Sequence, residues 1–407
     1  MIQIIILFQF MVKGETMNYL MMSPHFPKNL QNFAIRLKER GVNVLGIGTE
    51  PYDWLSPELR ESLTEYYRVE DMENLDEVKR AVAFLIYKHG PIDRLESNNE
   101  YWLELDAALR EQFNVPGVKP RDLEKTKYKS KMKKLFEKAG VPVVPGYLIK
   151  NESQLNKALK EAGLPAVAKP DRGVGTAATY RLETKEDVAT FLSEWDQSIP
   201  YFVEPYVLDA ELCTFDGLVD EKGQIVFSTS FVYSLPTLEL IEGQCDYTNI
   251  VQKDVEAQLA AYGQAAVKAF GMKERFFHIE FFRRKKGDYV AIEYNNRLAG
   301  GYTINLYNYA YGCDLYAIYA DIVTGRLEET PSYDRHYGVG ISRRDELAYE
   351  HNVDEIRAKY GDRVKMVDRL PDAFSAIMGN EFLVILADTQ EEVEEVGHYV
   401  HKKQGGQ

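Results

Sequence analysis

The residues best placed to do chemistry lie between His278 and Gly301, in HIEFFRRKKGDYVAIEYNNRLAGG. Two apolar, aromatic runs flank RRKKGD, and glycine with aspartate between such runs predicts a β-hairpin. With period-two alternation, His278, Glu280 and Phe282 share one face of the first strand, and Glu293, Asn295 and Arg297 share one face of the second. If the strands pair antiparallel, Glu280 and Glu293 lie side by side. Adjacent carboxylates in a half-buried sheet repel unless a positive charge stands between them. Two carboxylates and the Asn295 amide are hard oxygen donors that suit Mg²⁺, an ion that also takes nucleotide phosphate oxygens. A polar sheet face without metal is the plain alternative.

Elements upstream must supply whatever binds beside these carboxylates. In AVAKPDRGVGTAATYR (166–181) an apolar strand delivers Lys169 into a glycine-rich loop. Glycines let backbone N–H groups face phosphate oxygens, and the lysine adds a point charge. The loop lacks the GxxxxGK[ST] pattern, and a flexible hairpin is the competing reading. YFVEPYVLDAELCTFDG (201–217) reads as a strand, a Pro205 kink and a second strand, carrying Glu204 and Glu211. Backbone groups of such a linker can read an adenine edge, and a carboxylate can hold ribose hydroxyls.

The other elements are expected as follows. Residues 17–117 alternate strands and helices, which predicts a parallel α/β sheet. The turn Glu96–Glu100 follows a strand's carboxyl end, where open sheets bind ligands; Glu96 and Glu100 as helix-capping carboxylates are equally admissible. Arg121–Gly140 reads as one lysine-dense helix, Val255–Phe270 as an alanine-rich helix, and Tyr302–Thr324 as a further helix. A tail unit follows, with a strand at Phe382–Ala387 and a capping box at Thr389–Glu392.

The whole chain has 407 residues, enough for two to four domains, with 45% hydrophobic and 28% charged residues. A net charge of −14 argues against a general nucleic-acid binder. Cys213, Cys245 and Cys313 form neither a disulfide framework nor a CxxC metal site, which fits a cytoplasmic protein. The seven histidines form no zinc motif. The apolar residues 1–13 are too short to span a bilayer, and residues 1–16 read as an upstream extension before a fold that begins near Met17.

In order, AKPDRGVGT, VEPYVLDAEL and HIEFF…AIEYNNRLAGG, behind EKTKYKSKMKKLFEKAGVPVVPGY, resemble the ATP-grasp superfamily over roughly residues 17–326. The nearest likeness is to carboxylate–amine ligases of the L-amino-acid ligase type, with carbamoyl-phosphate-synthase-like and biotin-carboxylase-like enzymes sharing the layout. The resemblance implies an ATP-grasp fold of mixed α/β and α+β class. It places a pre-ATP-grasp domain at 17–120, the ATP-grasp domain at 121–330 (lid about 125–205, catalytic part about 206–330) and a small α+β unit at 331–407. It implies nucleotide contacts from Lys129, with Lys127 as the alternative, and from Lys169. Gly173, Gly175 and Thr176 match the closing loop, Glu204, Tyr206 and Val207 the adenine hinge, and Glu211 the ribose carboxylate. Glu280, Glu293 and Asn295 match Mg²⁺ ligands (Mn²⁺ could substitute), and Arg297, with Lys169 and Asn295, matches the catalytic group.

The implied activity joins a carboxylate to an amine, both small and of amino-acid type, through an acyl phosphate with release of ADP and phosphate. Bicarbonate or carbamate phosphorylation, and a non-catalytic ATP-binding regulator, are the alternatives. No nucleic-acid or membrane partner is expected, and a homodimer is left open. Tyr233, Tyr247 and Tyr302 are candidates to line an amino-acid pocket, or simply to pack.

Overall fold

The structure, a computed structural model, describes residues 16–173, 178–234, 246–329 and 332–405. The expected upstream extension, apart from Thr16 itself, and the loop residues Gly175 and Thr176 lie outside the described residues.

The chain divides into two compact units, one of residues up to Pro120 together with Tyr316–Glu328, the other of Arg121–Leu315 and Glu329 onward. In the first unit, β1 (Asn18–Met22), β2 (Asn43–Gly48), β3 (Glu65–Arg68) and β4 (Arg94–Glu96) form a parallel sheet in the order β3-β2-β1-β4. β1 is buried along its whole length, as expected for a parallel strand covered on both faces. The helix Leu75–His89 starts where Asn74 accepts a bond from the Glu77 N–H and stops at Gly90, which has φ +89°. Residues 316–328 are tied to this unit by Arg40, whose guanidinium grips both Asp321 oxygens at 2.6 and 2.8 Å, and by Tyr19 and Tyr319, whose hydroxyls are 2.7 Å apart.

The second unit holds two sheets. β5 (Tyr147–Ile149), β6 (Ala166–Pro170), β7 (Tyr180–Leu182) and β8 (Tyr201–Pro205) pair antiparallel in the order β5-β8-β6-β7. The larger sheet contains β9 (Ala210–Val219), β10 (Ile225–Thr229), β11 (Phe231–Tyr233), β12 (Tyr247–Val251), β13 (Arg275–Arg284), β14 (Tyr289–Asn295), β15 (Tyr337–Arg343), β16 (Val364–Arg369) and β17 (Glu381–Ala387). Its order among the described residues is β14-β13-β9-β11-β12-β15-β17-β16, with β10 on β9. The predicted hairpin is β13–β14, turned at Gly287 with φ +80°, a conformation open to glycine at little cost. β13 also pairs with β9 over ten positions, Arg275 opposite Val219 through Arg284 opposite Ala210, so this strand is anchored on both sides.

Two expectations are corrected. Residues 121–140 are two helices, Pro120–Lys127 and Lys129–Lys138, broken at Tyr128. The break occurs because Asp171 captures the new helix start: its carbonyl accepts from the Lys129 N–H at 2.9 Å, and its carboxylate from the Ser130 N–H and hydroxyl at 2.8 and 2.9 Å. Residues 302–324 are likewise two helices, Thr303–Tyr311 and Leu315–Val323, separated by left-handed Gly312. The strand expected at Phe382–Ala387 is β17, and β15 pairs with β12 and carries β17 and β16 into the large sheet. At 389–392, Thr389 caps the last helix as expected, while the Glu392 carboxylate accepts from the Asp388 N–H.

The helix Ala257–Phe270 packs on β9 through Gly263, where a Cβ would sit 2.1 Å from Phe215 Cδ1. Gly263→Ala is expected to destabilise the protein by about 1–3 kcal/mol through overpacking. Urea unfolding measures this, and an unchanged midpoint would show that the interface can yield.

Candidate active site

β6 and β8 set the upper charges. Alternation puts Val167 and Lys169 on one face of β6, and both line a cavity of about 570 Å³. Glu204, opposite Val167 on β8, points into the same space. Lys169 Nζ is 2.6 Å from Glu204 Oε2, and Lys133 Nζ contacts Glu204 Oε1. Glu204 is only 5% exposed. Burial opposes its ionisation, but the Lys169 and Lys133 ammonium groups outweigh it and draw its pKa to about 2. The stability from this pairing is therefore complete above the ordinary value of 4.5 and disappears as the pH falls toward 2. Glu204→Gln should flatten the acid limb of the stability curve between those values, and an unchanged limb would disprove the assignment.

β13 and β14 set the lower charges. Glu280 stands directly opposite Glu293, as the sequence suggested. Beyond this pair the register shifts, with Phe281 opposite Ala291, so Ile292 is the extra residue on β14. Such a bulge re-aims side chains, and Ile292, Glu293 and Asn295 all line the cavity with Glu280. Lys129 Nζ is 3.9 Å from Glu293 Oε1, and burial lowers the Lys129 pKa despite that carboxylate. Arg297 also lines the cavity and donates to the Leu298 carbonyl at 2.5 Å.

Behind Glu280 lies His278, buried, with Nδ1 2.6 Å from Asp216 Oδ1 and Nε2 3.2 Å from Glu280 Oε1. Asp216 Oδ2 accepts from the Tyr307 hydroxyl at 2.9 Å and from the Thr214 hydroxyl. Burial would lower the His278 pKa, but Asp216 and Glu280 push it up to about 9, so the ring carries a proton at neutral pH. Burial likewise opposes ionisation of Glu280, and the His278 contact outweighs it, with Arg297 and Lys169 assisting, so its pKa is lowered. Cations on both sides thus reduce the repulsion between the paired glutamates.

The cavity brings together Lys129, Lys169, Glu204, Tyr206, Val207, Glu280, Glu293, Asn295 and Arg297. Lys127 is buried and does not line it. Glu211 does not line it either: its carboxylate is held 2.9 Å from Arg283 Nε, while Asp209 stands at the rim. Gly173 is described but does not line it. Tyr233, Tyr247 and Tyr302 are not among the lining residues, and the Tyr302 hydroxyl donates to the Arg369 carbonyl at 3.2 Å. Glu96, in the first unit, is buried and bonded to Arg110 at 2.9 Å. Lys133 and His278 were given no role from sequence. Lys133 was detectable as the i+4 neighbour of Lys129 on one helix face, and His278 as the same-face neighbour of Glu280.

Among the described residues no three His, Cys, Asp or Glu side chains gather as a metal site. The donor set at the hairpin is two carboxylates and one amide. That fits Mg²⁺, which typically takes one or two protein carboxylates and completes its shell with water and phosphate oxygens.

No family model matches the chain. It is similar to an L-arginine-specific L-amino acid ligase of Bacillus subtilis, at 24% identity over 242 residues, covering 58% of each protein. The chain therefore spans little more than half the length of that relative. The biotin carboxylase domain of Hydrogenobacter thermophilus 2-oxoglutarate carboxylase, crystallised with MgADP, ADP and bicarbonate, superposes with TM-score 0.70 at 18% identity, covering 93% of this chain and 88% of that one. An L-amino acid ligase from Bacillus licheniformis superposes with TM-score 0.69 at 15% identity, covering 94% and 96%. The fold of this chain is the ATP-grasp fold.

Proposed function

We propose that this chain is an ATP- and Mg²⁺-dependent carboxylate–amine ligase. The observation that carries the reading is one cavity in which Lys129, Lys169 and Arg297 face the opposed pair Glu280 and Glu293. A substrate carboxylate attacks the γ-phosphate of ATP, giving an acyl phosphate and ADP. An amine then attacks the acyl carbon and expels phosphate. Lys129 and Lys169 bind the nucleotide phosphates, Arg297 steadies the transferring phosphoryl group, and the 205–210 linker takes the base. Glu280, Glu293 and Asn295 would hold Mg²⁺, which neutralises charge on the phosphate oxygens. Phosphoryl transfer of this kind depends on positioning and electrostatics, so no enzyme nucleophile is needed. Buried Cys213, whose pKa burial pushes up to about 12, is unsuited to that role in any case.

Amino acids are the proposed substrate class, by likeness to the two amino-acid ligases. Among the described residues no helix is long and apolar enough to cross a membrane, and a cytoplasmic location is proposed. A homodimer is proposed by analogy with the 2-oxoglutarate carboxylase domain, crystallised as a dimer. A phosphate-release screen over pairs of amino acids and small carboxylates tests the reading. ADP and phosphate should appear only when both a carboxylate and an amine are present. Release of AMP and pyrophosphate would overturn it, and bicarbonate-dependent ADP formation without an amino acid would favour bicarbonate phosphorylation instead.

A further inference from the structure

Lys133 is 6% exposed, and its ammonium is surrounded by three acceptors: a Glu204 oxygen, the Val144 carbonyl at 3.3 Å and the Ala291 carbonyl at 3.5 Å. An ammonium has three donors and no acceptor, and this set surrounds it with one ion pair and two carbonyls. The three acceptors belong to β8, the segment before β5, and β14, which makes Lys133 a tie between the helix Lys129–Lys138 and both sheets of its unit. The segment is further fixed by the Ala291 N–H, which donates to the Pro142 carbonyl at 2.7 Å. Lys133 is therefore held to the scaffold on three sides, although it lines the cavity.

Lys169 differs. Its described ion pair is with the other Glu204 oxygen, at 2.6 Å. To reach a phosphate, Lys169 must give up some or all of its hold on Glu204. A buried carboxylate that loses its sole counter-charge is strongly destabilised, so Lys169 can turn to a phosphate cheaply only if a second cation remains. Lys133 is that cation.

We propose that Lys133 is a positioning residue that keeps Glu204 compensated so that Lys169 is released to a nucleotide phosphate. The inference rests on the nucleotide-binding reading above. Without Lys133, the carboxylate would compete with the phosphate for Lys169. Removing both Lys133 and the Glu204 charge would end that competition.

The test measures Mg·ADP affinity by titration calorimetry on the full chain, Lys133→Met, Glu204→Gln and the double variant, with circular-dichroism melts to score folding. Lys133→Met is expected to bind Mg·ADP about tenfold or more weakly, and the double variant to recover most of that loss. Lys133→Met affinity within about twofold of the parent, or a double variant no better than Lys133→Met, overturns the proposal. If Lys133→Met does not fold, Lys133→Gln takes its place in the same comparison, and affinity within about twofold of the parent, or no recovery in its double variant, overturns the proposal. A parent chain that binds no Mg·ADP instead removes the nucleotide reading itself.

Discussion

Arg297→Ala is expected to lower ligation turnover by about 10²–10³-fold while leaving nucleotide affinity close to that of the parent, since losing one preorganised charge at a developing anion costs that much. Arg297 lines the same cavity as Lys169 and the glutamate pair, and its charge helps keep Glu280 ionised. Its bond to the Leu298 carbonyl fixes the guanidinium locally. Removal should therefore affect kcat far more than the ADP dissociation constant, and a KM-against-kcat comparison with calorimetric Mg·ADP binding separates the two. Ligation that survives the substitution would show that the hairpin is not the catalytic centre. A parallel loss of ADP binding would move Arg297 from the transferring phosphoryl group to ground-state nucleotide contact.

The hairpin was legible because its signals are local. Period-two alternation placed Glu280 and Glu293 on facing strands, Gly287 and Asp288 marked the turn, and the observed register pairs the two glutamates directly. Lys169 was legible for the same reason, as a strand residue running into a glycine-rich loop. Partners contributed from a distance were not legible. Asp216 reaches His278 across 62 residues, and Lys133 reaches Glu204 across 71, through strand pairing and helix docking that no window of sequence contains. The break at Tyr128 has the same origin: it is set by Asp171, 43 residues away, and not by a local breaker. Glu211 shows the converse. Its position in the linker suggests a ribose contact, and the sequence gives no sign of Arg283, opposite it in the β9–β13 register, whose Nε lies 2.9 Å from the carboxylate.

These distant partners also govern what the glutamate pair should do when altered. Glu280 and Glu293 sit opposite each other at a spacing where like charges destabilise a sheet by about 0.2–1 kcal/mol. His278 and Lys129 reduce that cost without abolishing it, since Lys129 remains 3.9 Å from Glu293. Under the proposed role in Mg²⁺-dependent phosphoryl transfer, the pair is expected to cost stability in the absence of nucleotide, as functional sites commonly do. Glu293→Gln preserves volume, removes one of the two charges and should lower ATP-dependent turnover by about 10²-fold or more, with a raised Mg²⁺ requirement. In the same variant the melting midpoint without nucleotide should rise by roughly 1–3 °C as the repulsion is relieved. Calorimetric melts and turnover measured across a Mg²⁺ series check both halves. A purely structural role for Glu293, as the partner of Lys129, requires the opposite: a lower midpoint and turnover unchanged at saturating Mg²⁺.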